Sequence, residues 1–167
     1  MECFHIVWQG LFSFEEARND PAARENGVYV AYECTGRTIK RMCYIGKSQE
    51  LGPRLGTHRL GLARFLREKD MRKYRFSLAT ILSLERSVAS HDITPKQLSD
   101  IESFLRNHYR PSGNDESTKK GYKGEPLLLI NTGKLGKIDK LIAYNTDLLP
   151  LIKKNLGTTK PRRNDDW

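Results

Sequence analysis

The chain has 167 residues, of which 29 are Lys or Arg and 20 are Asp or Glu, giving a formal net charge of +9 at pH 7. A single domain with a sizeable core is expected at this length. No apolar run approaches the roughly 20 residues of a membrane-spanning helix, and the first residues do not resemble a signal peptide, so the cytoplasm is the default location.

Charge and cysteine usage narrow the kinds of ligand to expect. The pI is about 9.6 and the mean hydropathy is −0.62. A nucleic acid or an anionic membrane surface would suit this charge, and nucleic acid is favoured because no long helix has a basic face opposite an aromatic one. The three cysteines lack the paired spacing of a disulfide framework or a zinc site, so we interpret them as reduced thiols.

The first third of the chain predicts a strand, a short helix and a β-hairpin. Residues 5–8 are typical of a strand, and Ser13 is a good N-cap for a helix with acidic residues in its first turn. Residues 27–32 alternate and are rich in β-formers. A turn at residues 35–37 then leads to a returning strand at residues 40–45.

The rest of the chain predicts two longer helices around one further strand. Pro53 suits the first turn of a helix, residues 76–84 favour a strand, and residues 94–97 match a capping box with Pro at the first helical position. A short segment is expected at residues 127–130 and a terminal helix at residues 143–153. The apolar positions of the helix after the capping box are Leu98, Ile101, Leu105 and Tyr109.

Four side chains on the hairpin and the following helix are candidates for chemistry. Tyr29 and Tyr44 fall on the two hairpin strands, and Arg54 and His58 are one helical turn apart. Two phenols, a guanidinium and an imidazole suit an anionic substrate. Each also has a plainer interpretation, the tyrosines as ordinary sheet aromatics and Arg54 with His58 as a solvated helix face.

Glu102 borders the apolar stripe of its predicted helix. A carboxylate in that position is costly unless it is paired or binds a cation. A surface ion pair with Arg106, four residues later, is the alternative to a functional role.

Together these residues resemble the GIY-YIG nuclease family over residues 27–114, roughly half of the chain. The Gly-Val-Tyr of residues 27–29 matches the first motif, with Val28 in place of isoleucine, and the Tyr-Ile-Gly of residues 44–46 matches the second. The hairpin between the motifs is longer than is usual in the family. The remaining matches are Lys47 after the second motif, Arg54 and His58 in the helix, the metal-binding Glu102, and Asn114, which closes the domain.

The resemblance implies an α/β (mixed α+β) fold with a central three-stranded antiparallel sheet flanked by helices. The chain is then one GIY-YIG nuclease domain over residues 1–167, with a motif core at 27–114. Residues 1–26 and 115–167 become N- and C-terminal extensions that the motifs do not cover.

The resemblance also implies hydrolysis of a DNA phosphodiester with one Mg²⁺ or Mn²⁺ ion. Glu102 would hold the metal by a hard oxygen, and Arg54 would clamp the phosphate. Family analogy makes Tyr29 the general base, although a phenol with a reference pKa of about 10 needs help at neutral pH, and His58 is the alternative. Tyr44 would orient water or phosphate.

Basic residues that could bind DNA are concentrated after the second motif. No separate DNA-binding module is evident, so the closest match is to the stand-alone, type II restriction-like members. Cutting both strands of double-stranded DNA would favour a homodimer. A structure-specific or phage-type nicking nuclease, and an inactive DNA-binding module, are the alternatives. The candidate DNA-binding residues are Arg59, Arg64, Arg67, Arg72 and Lys73, with a later lysine group at Lys119, Lys120, Lys123, Lys134, Lys137 and Lys140.

Overall fold

The computed structural model describes residues 1–48, 70–84, 92–114 and 121–144, and all structural statements below concern these ranges. They form six strands and two α-helices, with 3-10 turns at Pro21–Arg24, Met71–Lys73 and Ser112–Asn114. The main elements are β1 (Glu2–Phe12), α1 (Phe14–Asn19), β2 (Gly27–Thr35), β3 (Thr38–Ser48), β4 (Tyr74–Ser83), α2 (Pro95–Tyr109), β5 (Leu127–Gly133) and β6 (Leu141–Tyr144).

Both α-helices begin at capping boxes, where the sequence predicts an N-cap at Ser13 and a capping box at Thr94. The Ser13 hydroxyl accepts from the backbone N–H of Glu16, whose carboxylate accepts from the Ser13 N–H. Thr94 and Gln97 form the same reciprocal pair at the start of α2. These bonds satisfy N–H groups that have no partner inside the helix. The two predicted helix starts are confirmed.

The strands form one mixed sheet in the order β3-β2-β4-β1-β5-β6. Strands β2, β3 and β4 pair antiparallel, and β4 also pairs antiparallel with β1. Strand β5 runs parallel to β1, from Glu2 opposite Leu127 to Trp8 opposite Gly133, and β6 pairs antiparallel with β5. The N-terminal strand therefore lies in the middle of the sheet.

The predicted fold class is wrong. The sheet is curled and has six strands, not three, and the described chain is mostly sheet with few helices. The added strands come from residues 1–26 and 115–167, which the motif match leaves as extensions. Their pairing depends on contacts between distant segments, such as the buried hydrogen bond from Trp8 Nε1 to Asn131 Oδ1 at 2.9 Å, which sequence spacing does not reveal.

Individual elements agree with the sequence more closely than the fold class does. The predicted strands at residues 5–8, 27–32, 40–45 and 76–84 are present, most of them longer than expected, and the short segment expected at residues 127–130 is part of β5. The predicted terminal helix is wrong at its start, because Ala143 belongs to β6. The remainder of that helix, and the helix predicted from Pro53, lie outside the described residues. No helix in the described ranges is long and apolar enough to cross a membrane.

The two faces of the sheet are covered by different helices. Apolar side chains of α2, including Ile101 and Leu105, pack with Val28, Val30 and Ile45 on one face. On the other face, Ala17 of α1 shares a smaller cluster with residues of β2, β3 and β4. Burial on both faces explains why β2 reads as an almost continuous apolar run. Tyr29 and Tyr44 belong to the α1 face.

Candidate functional site

The second motif lies on an edge strand. Strand β3 is the last strand on its side of the sheet, so alternate N–H and C=O groups between Tyr44 and Ser48 point away from β2. Such groups are costly when they are buried without partners. Side chains from α2 and from the 3-10 turn at Ser112–Asn114 supply these partners.

Asn114 pairs with Ile45 as a neighbouring strand would. Its Oδ1 accepts from the Ile45 N–H at 2.8 Å, and its Nδ2 donates to the Ile45 carbonyl at 3.0 Å. The side chain is buried, with 6% of the residue surface exposed. An amide is suited to this position because it carries both a donor and an acceptor. Asn114 therefore fixes the position of the second motif.

Glu102 reaches the same strand two residues further on. Its Oε1 accepts from the backbone N–H of Lys47 at 3.0 Å and forms an ion pair with Arg106 Nη2 at 2.7 Å. Only 7% of the residue is exposed. The ion pair predicted as the alternative to a functional role is thus present, and it accompanies a direct contact with the motif strand.

Arg106 connects these groups. Its Nε donates to the Ile45 carbonyl at 3.0 Å, and its guanidinium carbon lies 5.9 Å from the centre of the Tyr44 ring, within the range of a cation–π contact. The sequence identified Arg106 only as an ion-pair partner of Glu102. Its spacing of four residues from Glu102 was the available signal, but its contact with Ile45 depends on how α2 packs on the sheet.

The two tyrosines stack on each other. Their ring centroids are 6.1 Å apart with an angle of 16° between the planes, and 1% of Tyr29 and 7% of Tyr44 are exposed. Tyr29 is the cross-strand partner of Gly46, and a Cβ on Gly46 would lie 2.4 Å from Tyr29 Cζ. The glycine of the second motif thus makes room for the tyrosine of the first.

Five of the predicted site residues therefore meet at one segment of β3. Glu102 and Asn114 contact the segment at its edge from the α2 side, whereas the tyrosine rings lie on the opposite face. Arg106 reaches around the edge to the Tyr44 ring. Any substrate that contacts both the carboxylate and a phenol has to approach at this edge. The five residues are Tyr29, Tyr44, Lys47, Glu102 and Asn114.

The other predicted residues divide into a group outside the described residues and a pair on the turn before β4. Arg54, His58, Arg59, Arg64 and Arg67 lie outside the described residues. The remaining two, Arg72 and Lys73, are exposed on the 3-10 turn before β4.

This turn is distant from the tyrosines along the sheet. Tyr74, the first residue of β4, pairs with Glu33, which is four residues along β2 from Tyr29, or about 13 Å in a strand. Arg72 is held by Asp70 through two bonds, Nε to Oδ1 at 3.0 Å and Nη2 to Oδ2 at 3.1 Å. Hydrogen bonds from the Arg72 side chain and then its backbone N–H lower the pKa of Asp70.

The carboxylates near the motifs are too few to form a metal cage. In the described ranges, no three His, Cys, Asp or Glu side chains are grouped so as to hold an ion. Mg²⁺ needs only one or two protein carboxylates when water and substrate phosphate complete its shell, so the hard oxygens of Glu102 fit this ion. The contact of Glu102 with Arg106 would compete with the metal.

Comparisons with known proteins give no assignment. Neither the models of known protein families nor the curated proteins nor the solved structures contain a match to this chain. The case for a function therefore depends on the residues and their geometry.

Proposed function

We propose that the chain is a GIY-YIG-type endonuclease that hydrolyses phosphodiester bonds of double-stranded DNA with one Mg²⁺ or Mn²⁺ ion. The supporting observation is that residues 29, 44, 47, 102 and 114, identified by motif order alone, converge on one four-residue segment of β3. The net charge of +9 favours a polyanionic substrate.

Each converging residue has a distinct role in this proposal. Glu102 would hold the metal, and Arg106 positions the carboxylate beside the Lys47 backbone. Tyr44 would orient water or phosphate, while Asn114 keeps the motif strand in place. When bound, the metal would neutralise charge developing on the phosphate and lower the pKa of a bound water. Arg54, as the resemblance implies, would clamp the phosphate.

The identity of the general base is open between Tyr29 and His58. Tyr29 is only 1% exposed, so a water or substrate oxygen needs access to its hydroxyl past the surrounding groups. A base has to come within hydrogen-bond reach of the proton that it removes, although catalytic contacts often tighten only when substrate binds. Comparing the pH–rate profiles of Tyr29→Phe and His58→Ala separates the two, because loss of the base removes the ascending limb of the profile.

One observation favours a second candidate, an inactive DNA-binding module. The Glu102 carboxylate satisfies a backbone N–H of the edge strand and an arginine, and structural bonds of this kind account for a buried acid without a bound metal. The chain would then keep the arrangement for stability and use its positive charge for binding.

Plasmid cleavage tests the proposal. Purified protein with Mg²⁺ or Mn²⁺ is expected to cut supercoiled plasmid, and Glu102→Gln is expected to abolish cutting while retaining DNA affinity. Mapped ends distinguish discrete restriction-like fragments from random nicks, and a branched substrate tests for structure-specific cutting. Intact plasmid with both metals, at protein concentrations that bind DNA, contradicts the nuclease proposal and leaves the binding module.

Double-strand cleavage has a consequence for assembly. The described residues of each chain form one proposed centre, so cutting both strands in one encounter favours two chains. Sedimentation of the protein with and without DNA tests for the homodimer.

A further inference from the structure

The loop between β5 and β6 folds onto the long β2–β3 hairpin. Lys137 Nζ donates to the Lys40 carbonyl at 2.5 Å, and the Tyr32 hydroxyl contacts the Leu135 carbonyl at 3.5 Å. Gly136 fits closely here, since a Cβ at that position would lie 3.1 Å from Tyr32 Oη. Strands β4 and β1 separate β2 from β5 in the sheet, so this contact joins two regions that strand order alone keeps apart.

This contact brings basic side chains from two regions of the chain together. Arg37 is three residues from Lys40, and Lys134 and Lys140 are each three residues from Lys137. Three residues span at most about 11 Å of backbone, so all five basic residues have Cα atoms close to the Lys40–Lys137 contact. All five are exposed. We call this set the hairpin–loop surface.

The cations of this surface form no ion pair with an acid among the described residues. Within the part of the chain that the structure describes, none of the five forms an ion pair, whereas Arg41 pairs with Glu33 and Arg72 with Asp70. Asp139, on the same loop, interacts with His108 and Tyr109 of α2. Unpaired exposed cations keep their full charge for an external anion.

The charge extends towards β4. Burial raises the pKa of Cys34, the positive charges of Arg75 and Lys137 lower it, and the neighbouring Cys43 and Glu33 raise it. Arg75 pairs with Tyr32 across β2 and β4. The opposite end of the sheet differs, because Lys96 there pairs with Asp100 and lies near Glu2 and Glu125.

We propose that the hairpin–loop surface binds the phosphate backbone of duplex DNA next to the segment that is cut. The choice of DNA depends on the proposed nuclease function. Lys40 is four residues along β3 from Tyr44, or about 13 Å. Phosphates of one strand follow each other at about 3.4 Å along the duplex axis, so the surface contacts phosphates about four base pairs from the reacting one.

The side chains favour a duplex over a single strand. Single-stranded nucleic acid is usually held by exposed aromatic rings on which bases stack. No Phe, Tyr or Trp ring among the described residues is exposed, and the exposed large hydrophobic side chains there are Met1 and Leu11. A surface that offers several separate cations and no exposed ring for base stacking is better suited to the phosphate backbone of a duplex than to a single strand.

Binding of a fluorescein-labelled DNA duplex in EDTA tests this surface without requiring cleavage. Lys134→Gln/Lys140→Gln removes two positive charges, and Lys96→Glu changes the net charge by the same amount at the opposite end of the sheet. The loop variant is expected to lose affinity on the order of tenfold and to reduce the slope of log K against log salt by about 1.8, because each phosphate contact contributes about 0.9. The control is expected to change neither by a comparable amount.

Two further variants make the result specific. Arg37→Gln/Lys40→Gln on the hairpin is expected to reproduce the loss, whereas Lys134→Arg/Lys140→Arg, which keeps the charge, is expected to bind normally. An unchanged salt slope in both charge-removing variants, an equal loss in the control, or preferred binding of duplex RNA overturns the proposal.

The outcome is separable from that of the nuclease proposal. If the unsubstituted protein cuts no DNA but the charge-removing variants bind the duplex more weakly, the proposed DNA-binding surface is supported and the nuclease proposal fails. If the unsubstituted protein cuts DNA and the charge-removing variants bind and cut as it does, the nuclease proposal is supported and the proposed role of the hairpin–loop surface is contradicted. Circular dichroism of each variant confirms that its fold is intact.

Discussion

Tyr29 lies directly over Gly46, its partner across the hairpin, and the tyrosine ring has room there only because position 46 has no side chain. A Cβ there would lie 2.4 Å from Tyr29 Cζ and 2.5 Å from its hydroxyl oxygen. The tyrosine of the first motif and the glycine of the second are therefore one packing unit.

Gly46→Ala is expected to destabilise the protein by about 1–3 kcal/mol, because the Tyr29 ring has to move out of a well-packed position. The free energy of unfolding in urea measures this cost. In a Tyr29→Leu background the colliding atoms are absent, and the cost of Gly46→Ala is expected to fall to a few tenths of a kcal/mol. A difference of that size is no larger than the usual deviation from additivity between two substitutions that do not interact. Equal costs in both backgrounds would show that the clash is not the cause.

Substitutions of Glu102 separate its structural role from its proposed catalytic role. Glu102→Ala leaves the Lys47 N–H and the Arg106 guanidinium without this acceptor and is expected to cost about 3–5 kcal/mol. Glu102→Gln keeps a carbonyl oxygen for the N–H and is expected to cost less in urea unfolding. Its metal-dependent cleavage is expected to be lost all the same. Cleavage that tracks stability across the two variants argues that Glu102 is only structural.

Asn114→Asp tests the strand-like pairing with Ile45. Oδ1 can still accept from the Ile45 N–H, but the second carboxylate oxygen faces the Ile45 carbonyl and repels it. Repulsion raises the folded-state pKa of the new acid, so its protonated form is the stable one and the loss relative to wild type grows as pH rises above about 4. Thermal unfolding of both proteins across this range measures the difference. A pH-independent loss contradicts the pairing.

Asp70→Asn tests the pairing of Asp70 with Arg72. Because the folded-state pKa of Asp70 is lowered, its contribution to stability is present above its ordinary pKa of about 3.9 and is lost as pH falls through the lowered value. The variant is expected to be slightly less stable than wild type at neutral pH and equal to it in strong acid. Salt should shrink the neutral-pH difference, because the pair is exposed. A difference that is constant with pH and salt has another origin.

The sequence predicted which residues lie close together at the site better than it predicted the fold class. Motif order identified Tyr29, Tyr44 and Glu102, and these residues do approach one segment of β3. Arg106 was recognised only as a partner of Glu102, because an i, i+4 spacing shows an ion pair on a helix but not the strand carbonyl that the same guanidinium reaches. The fold class failed because half of the sheet comes from segments without a motif.

The sequence by itself determined the local elements. Capping boxes and strand alternation act over a few residues, so the starts of α1 and α2 and the strands of the hairpin are encoded where they occur. Only the tertiary structure decided that β1 lies between β4 and β5, and that the loop after β5 reaches the hairpin. These arrangements depend on hydrogen bonds and burial between segments up to 127 positions apart, and no local pattern records which partner a strand will choose.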